Sequence, residues 1–329
     1  MKHANISLFV PHMGCPHQCS FCNQKTISGS VKELTPEDVL KVLQGAVEDN
    51  NCPETTEIAF FGGSFTAIDR DYMVSLLEVA KPFIDNGYFN GIRISTRPDA
   101  IDEDVLNVLK RFGVTSIELG AQSTDDEVLK LNNRGHSRQD IVKASQLIKK
   151  YGFSLGLQMM TGLYGDTNEK AIKTCEDIIS LKPETVRIYP TIILEGTRLG
   201  ELYKKGEYKP QSLEDAVSLC SVLIRRFKEN NIRIIRLGLH SGGNVEEGYI
   251  AGPYHQAFGE LCESEIYLSI ALEKLKNTPK GDVILYVNPR EISKMTGQKQ
   301  INKTKLVSYG YNVTIKGKED LKQYEIQVN

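Results

Sequence analysis

The chain has 329 residues, of which 25% are charged and 40% hydrophobic, and its formal net charge is −2. That length suits one large α/β domain with a smaller appendage, and the composition excludes a disordered or fibrous protein. No apolar run approaches the ~18 residues of a membrane span and no signal-peptide pattern opens the chain, so a cytoplasmic protein without a membrane partner is expected.

In chain order, Ile6–Val10 reads as a first strand. Thr35 then caps a helix that has Pro36 at its first position, acids after it, and Val39, Leu40, Leu43 and Val47 on one face. Ile58–Phe61 is a short strand running into Gly62-Gly63-Ser64-Phe65, and a helix around Met73, Leu76, Leu77 and Ala80 follows. Next come a strand Ile92–Ser95, a helix Asp102–Phe112 closed by Gly113, and a strand Val114–Leu119. A helix Arg138–Tyr151 is closed by Gly152, Phe153–Met160 is a strand, and Thr167 caps a helix to Leu181. Thr185–Tyr189 is a sixth strand, Ser212–Glu229 a long helix, and Ile232–Leu237 a seventh strand. Strands and helices alternating at this rhythm predict a parallel sheet covered by helices, and near-continuous apolar strands fit burial on both faces. The pattern leaves a closed barrel and an open sheet as alternatives, but the unusual residues cluster after strand ends, where βα barrels keep their chemistry.

Directly after the first strand lies Gly14-Cys15-Pro16-His17-Gln18-Cys19-Ser20-Phe21-Cys22, a C-x3-C-x2-C pattern. Three thiolates this close can hold three irons of a 4Fe-4S cluster, which is normally held by four cysteines, leaving one iron open to a small molecule. The alternative is a zinc knuckle completed by His12 or His17, although structural zinc favours two separated ligand pairs. The other four cysteines, Cys52, Cys175, Cys220 and Cys262, are scattered and suggest neither a disulfide framework nor a second cluster; Cys175 and Cys220 fall on apolar helix faces. Gly62-Gly63 is by itself either a tight turn or a ligand loop.

The cysteine spacing, with Phe21 before the third cysteine, resembles the signature of the radical S-adenosylmethionine enzymes. The similarity extends over residues 6 to about 240 and resembles the radical domain of the Elongator catalytic subunit. It runs through Phe60–Phe65, Thr96-Arg97-Pro98-Asp99, Glu118–Ser123, Asn133-Arg134-Gly135-His136, Met159–Leu163 and Ile188-Tyr189-Pro190-Thr191. Oxygen-independent coproporphyrinogen oxidase shares a looser version. The resemblance implies a partial (β/α)6 TIM-like barrel over 1–240, a 4Fe-4S cluster, S-adenosyl-L-methionine, and a reductant such as flavodoxin or ferredoxin. It implies reductive cleavage of S-adenosylmethionine to a 5′-deoxyadenosyl radical that abstracts a substrate hydrogen.

Carried over position by position, Cys15, Cys19 and Cys22 ligate the cluster and Phe9 and Phe21 wall the cofactor. Gly62 and Gly63 backbone groups, with Ser64, meet the methionyl amino end, while Arg134 meets the carboxylate and Gln122 the ribose or methionine region. Gln158 and Met160 contact the ribose and adenine, and Pro190 lies near the adenine. No residue is singled out as catalytic. Cys22 is followed by Asn23-Gln24 where the Elongator subunit has a Cys-Pro-Gly-Gly run. Neither its basic tRNA-contacting arm nor its acetyltransferase domain has a counterpart expected here, so the core chemistry transfers and the substrate does not.

Residues 241–329 read as a small α+β extension that includes a stretch rich in turn residues and chemistry-capable side chains, Gly248–Leu261. Its His255, Tyr254 and Glu260 form either a substrate loop or a hinge before a helix running to Lys276. A strand Val283–Val287, two short helices near Glu291-Ile292 and Lys303–Leu306, and strands Asn312–Ile315 and Tyr324–Val328 follow. This β-α-α-β order, with Gly297-Gln298-Lys299-Gln300 between the helices, resembles a KH module lacking its second glycine. From Lys274 onward there are 11 Lys and Arg against 5 Asp and Glu, a local excess of +6. RNA contact through residues 274–329, with Lys294, Lys299, Lys303 and Lys305 crowded together, is the favoured substrate reading. A small metabolite or cofactor precursor is the alternative among enzymes, and a zinc-stapled binding protein the alternative outside them.

Overall fold

The computed structural model describes residues 4–10, 18–23, 33–49, 52–239 and 243–329. By its internal contacts the chain divides into two compact units, 1–211 with 230–252, and 212–229 with 253–329. The sequence pattern places a boundary at 240, and by contacts the long helix after residue 211 groups with the second unit.

The first unit is built on seven parallel strands: β1 (Ala4–Val10), β2 (Thr56–Gly62), β3 (Gly91–Thr96), β4 (Val114–Gln122), β5 (Ser154–Thr161), β6 (Thr185–Pro190) and β8 (Arg233–Leu237). They are ordered β1-β2-β3-β4-β5-β6-β8, every neighbour parallel, and among the described residues β1 and β8 are not paired with each other. This is the expected α/β architecture, a partial TIM-like barrel. The crossover helices are α1 (Pro36–Asp49), α2 (Arg70–Asp85), α3 (Glu103–Arg111), α4 (Asp126–Leu131), α5 (Arg138–Lys150), α6 (Asn168–Leu181) and α7 (Arg198–Lys204). A short pair, β7 (Ile193–Leu194) with β9 (Tyr249–Ala251), and helix α9 (Gly243–Gly248) complete the unit.

Local chemistry explains where the helices start. Thr35 and Asp38 exchange side-chain and backbone hydrogen bonds at the start of α1, and Ser137 and Asp140 do so before α5. Asp69, Asp102, Asp125 and Thr167 each accept a backbone N–H at the start of α2, α3, α4 and α6. On α1, Val39 and Leu43 are buried as expected, but Leu40 is 41% exposed because it lies at the edge of the apolar stripe.

Strand side chains alternate between two faces. Ile58, Phe60, Ile92, Ile94, Ile117, Leu119, Leu155, Leu157, Val186 and Ile188 are all buried, 1% exposed or less. Each such aliphatic or aromatic side chain contributes about 1.5–3 kcal/mol by burial. The positions between them carry Glu57, Arg93, Ser95, Glu118, Gln158, Arg187 and Tyr189, so the strands are not apolar on both faces as the sequence pattern suggested.

In the second unit, α8 (Leu213–Glu229) packs on α10 (Phe258–Leu275). A three-stranded sheet is ordered β11-β10-β12, from β10 (Gly281–Val287), β11 (Tyr311–Gly317) and β12 (Gln327–Val328); β10 and β11 are parallel and β12 antiparallel. Helices α11 (Ile292–Thr296) and α12 (Ile301–Ser308) lie between β10 and β11 in sequence, giving the anticipated β-α-α-β order. The core comprises Tyr267, Leu268, Ala271, Leu275, Val283, Leu285, Val287, Met295, Leu306, Tyr311, Val313 and Ile326. Cys220 and Cys262, remote in sequence, meet here as buried thiols, and burial pushes Cys262 far above the ordinary thiol value. Among the described residues no helix is long and apolar enough to cross a membrane.

Candidate active site

The cysteine loop follows β1, but Cys15, with His12 and His17, lies outside the described residues. Its far end is firmly tied. Ser20 is fully buried, its N–H and hydroxyl both donate to Asn132, at 3.1 and 2.6 Å, and its carbonyl accepts from Leu199 N–H at 2.8 Å. Asn132 caps the C-terminus of α4 and also donates to the Val128 and Tyr164 carbonyls. Asn23 Nδ2 donates to the Glu195 carbonyl at 2.8 Å. Cys19 and Cys22 therefore sit half-buried on a backbone fixed from both sides.

Arg134 Nη1 donates to Cys19 Sγ at 3.2 Å, while Nη2 donates to the Gly120 carbonyl at 2.6 Å. Hydrogen bonds onto a ligating sulfur are among the factors that set the potential of an iron–sulfur cluster. Gly120 leaves room for this contact: a Cβ there would lie 3.0 Å from Gln122 Nε2 and 3.4 Å from Arg134 Nη2, a tight fit that would displace both side-chain ends. The β4–β5 register slips between Gly120 and Gln122, and Gln122 has φ +65°. Such a bulge re-aims the side chain at the strand end. His136 is buried beside this group with Nε2 3.1 Å from the Ala121 carbonyl. Burial, helped by the Arg134 charge, pushes its pKa down to about 4 and keeps it neutral.

At the Gly62-Gly63 turn, Gly63 N–H donates to the Val10 carbonyl at 2.8 Å. Gly62 has φ +110°, and a Cβ on it would come within 2.7 Å of the Val10 oxygen, so this turn needs glycine to lie against β1. Ser64 is buried and precedes Phe65, whose ring stacks on Phe60 at 4.7 Å.

A cavity of about 570 Å³ opens at the C-terminal ends of the strands. Eight residues singled out in the sequence line it: Phe9, Phe21, Cys22, Gly62, Gln122, Gln158, Met160 and Pro190. Gly63, Ser64, Cys19 and Arg134 are not on that lining, and Arg134 is instead set behind it between Cys19 and Gly120.

Sequence reasoning missed the charged residues of the barrel interior. Glu118, 1% exposed, accepts from Arg187 Nε and Nη2 at 2.5 and 2.9 Å, from Arg93 Nη1 at 3.2 Å and from Gln158 Nε2 at 3.0 Å. Arg93 also pairs with Glu57 at 2.7 Å, and Ser116 donates to Glu57 at 2.9 Å. Arg187 lies 5.0 Å over the Phe61 ring and next to the buried Tyr189 hydroxyl. Ser7, Ser95, Arg187, Tyr189 and Arg236 all line the cavity. The signal was present as single charged residues at alternate positions in apolar strands, Ile92-Arg93-Ile94 and Ile117-Glu118-Leu119.

Two buried polar atoms at the cavity end of β4, Gln122 Oε1 and Arg134 Nε, have no hydrogen-bond partner among the described residues. Orphaned buried groups of this kind call for a ligand, since leaving each unmet costs about 1–3 kcal/mol. An unmet acceptor and an unmet donor at one strand end fit a zwitterionic amino-acid moiety, and the Cys22 thiol on the lining, with Cys19 held beside Arg134, fits a cluster.

The family model of the radical SAM superfamily matches residues 9–178 and that of the Radical_SAM C-terminal domain matches residues 183–267. The chain belongs to the radical SAM superfamily and is an enzyme of it, a membership that implies a 4Fe-4S cluster and S-adenosylmethionine. Among curated relatives, the tRNA uridine(34) acetyltransferase of Methanocaldococcus jannaschii is 34% identical over 185 residues, covering 50% of this chain and 34% of that protein. Elongator complex protein 3 of Homo sapiens is 29% identical over 191 residues, covering 52% of this chain and 35% of that protein. The chain thus aligns with only about a third of the length of either relative. The solved structure of the archaeal Methanocaldococcus infernus Elp3 with an N-terminal deletion superposes with a TM-score of 0.64 at 24% identity. It covers 83% of this chain and 63% of that one, which shows the shared fold.

Proposed function

We propose that this enzyme cleaves S-adenosylmethionine reductively at a 4Fe-4S cluster held by Cys15, Cys19 and Cys22, and so removes a hydrogen atom from an RNA substrate. The observation that carries the reading is the cavity at the strand ends, where Cys22 and Gln122, whose Oε1 has no partner among the described residues, share one lining with Phe9, Phe21, Gly62, Gln158, Met160 and Pro190. When bound, the cluster supplies the electron that breaks the sulfonium bond of S-adenosylmethionine, drawn from a reductant such as flavodoxin or ferredoxin.

This chain's own residues hold and shield. Phe9 and Phe21 wall the cofactor and exclude water. An ammonium group needs acceptors, and Gly63 N–H is already given to Val10, so the turn serves the methionyl amino end through the Gly63 carbonyl, with Ser64 behind it. Gln122 Oε1 is a further acceptor there. Arg134 Nε, the buried guanidinium nitrogen with no partner among the described residues while Nη1 and Nη2 engage Cys19 and Gly120, is the donor for the carboxylate. Gln158, held by Glu118, and Met160 meet the ribose and adenine, with Pro190 against the adenine.

RNA is favoured by the relatives named for a tRNA uridine and by the basic residues after Lys274. A metabolite substrate is favoured by a different observation. Lys294 pairs with Glu291 at 2.9 Å and Lys305 with Glu265 at 3.5 Å, so half of the four crowded lysines are already neutralised. His255 Nδ1 accepts the Ala257 N–H at 3.0 Å, which supports the reading of His255 as a local cap before α10. The test is reduction of the loaded enzyme with dithionite in the presence of S-adenosylmethionine. Release of 5′-deoxyadenosine and methionine supports the chemistry, and their absence from a fully loaded enzyme opposes it. Comparison of RNA nucleosides and metabolites between strains with and without the chain then separates the two substrates.

A further inference from the structure

The barrel interior holds one more positive charge than the chain itself can match. Glu57 and Glu118 face Arg93, Arg187 and Arg236. Arg93 is paired with both acids, and Arg187 is gripped by Glu118 through two hydrogen bonds. Among the described residues Arg236 makes a single side-chain hydrogen bond, from Nε to the Gly238 carbonyl at 3.1 Å, and has no acidic partner. No Asp or Glu occurs among the remaining residues of the chain either.

The register makes this arrangement costly. Arg187 and Arg236 are directly opposed across β6 and β8, so their side chains emerge on the same face. Like charges placed opposite one another across a sheet repel. Burial and the neighbouring Arg187 charge both act to hold Arg236 below the ordinary arginine value, against the Tyr189 hydroxyl, which favours its charge. The guanidinium nevertheless lines the cavity together with Tyr189, Ser7 and Ser95, all hydrogen-bonding groups. A half-buried guanidinium whose two Nη groups bond to no described residue, facing a cavity, is suited to two oxygens of one anionic group.

Resting on the function proposed above, we propose that Arg236, with Tyr189 beside it, is the anchor for an anionic oxygen group of the substrate, a carboxylate or a phosphate. This subsite is separate from the cofactor's own carboxylate, which Arg134 meets on the β4 side. It restricts the substrate to molecules that present such a group a short distance from the hydrogen to be removed.

The experiment titrates inorganic phosphate and acetate, each at constant ionic strength, into the cluster-loaded full chain with saturating S-adenosylmethionine. Iron content and S-adenosylmethionine binding are measured first. The expected result is one saturable site for at least one of the two anions, weakened by about tenfold or more in Arg236→Gln, the scale of one charge-assisted contact, and less in Arg236→Lys. Preference for phosphate identifies a nucleotide or nucleic-acid phosphate; preference for acetate identifies a carboxylate substrate. A second measurement requires no variant. Phenylglyoxal should modify Arg236 in the natural chain, located by peptide mass spectrometry, and the preferred anion should slow that modification. Absence of saturable binding, equal affinity in Arg236→Gln, no protection of Arg236, or loss of the anion whenever S-adenosylmethionine is bound would each overturn the assignment. A chain that loads no iron or cofactor counts against the proposed function alone, because the same titrations and protection still decide Arg236.

Discussion

Replacing Glu118 by Gln removes one charge from the centre of the barrel while keeping side-chain volume. Glu118 is 1% exposed and accepts four hydrogen bonds, two from Arg187, one from Arg93 and one from Gln158. An amide can accept some of these but cannot balance either guanidinium. Arg93 keeps Glu57, whereas Arg187 is left without a carboxylate and faces Arg236 across the sheet. Breaking a buried pair by removing one partner costs about 3–5 kcal/mol, a large part of the 5–15 kcal/mol typical of whole-domain stability. The chain has two compact units, so the assay must report each separately. Native-state hydrogen exchange read on peptides does so. Peptides of β3 to β6 should lose about 3 kcal/mol or more of protection in Glu118→Gln, while peptides of β10 and β11 keep theirs. Adding Arg187→Met should restore part of the loss, since the second substitution removes the stranded charge. A loss below about 1 kcal/mol in the first unit, or no recovery in the double variant, would refute the view that this network is a mutually dependent set of buried charges.

Other outcomes follow from the same geometry. Arg134→Ala should weaken S-adenosylmethionine binding by about 2 kcal/mol, measured by equilibrium dialysis, with iron content retained; unchanged affinity would confine Arg134 to its contacts with Cys19 and Gly120. His136 titrates at about 4 when folded against 6.5 when free, so the unfolded chain binds the extra proton between those values and stability falls as pH drops through that window, by up to about 3 kcal/mol. Asp166 has the opposite sign: burial raises it from 3.8 to about 6, so its contribution is present at low pH and is lost as pH rises between those values. Urea midpoints against pH should therefore flatten in His136→Gln and steepen in Asp166→Asn; identical profiles would contradict the burial of either group. If RNA is the substrate, Lys299→Ala with Lys303→Ala should shallow the salt dependence of binding by about 1.4–1.8 in log–log slope, and Lys305→Ala, whose charge is already paired, by less.

The strand and helix alternation was legible because each segment carries a strong local signal. The caps at Thr35, Ser137 and Thr167 and the glycines after α3 and α5 mark boundaries whatever the tertiary context. What was hidden depends on contacts distant in sequence. The short helix α4 has little periodicity, yet its terminal Asn132 pins Ser20 in the cysteine loop. The inner charges looked like incidental polar residues, because a strand pattern shows that Arg93, Glu118 and Arg187 share a face but not that they converge. The basic excess after Lys274 was legible as charge, whereas its partial neutralisation by Glu263 and Glu265 on α10 required the fold. The eight cavity residues were found from family resemblance to positions at strand ends, where a βα barrel gathers its chemistry.

The central claim, that the three cysteines hold an iron–sulfur cluster open to S-adenosylmethionine, is tested most directly by metal and sulfide analysis of the anaerobically purified and reconstituted chain. The account predicts about four irons with matching acid-labile sulfide per chain and a visible absorbance lost on dithionite reduction, all abolished when Cys15, Cys19 and Cys22 are replaced by Ala together. Stoichiometric zinc without sulfide, or a triple variant that retains its iron, would contradict it.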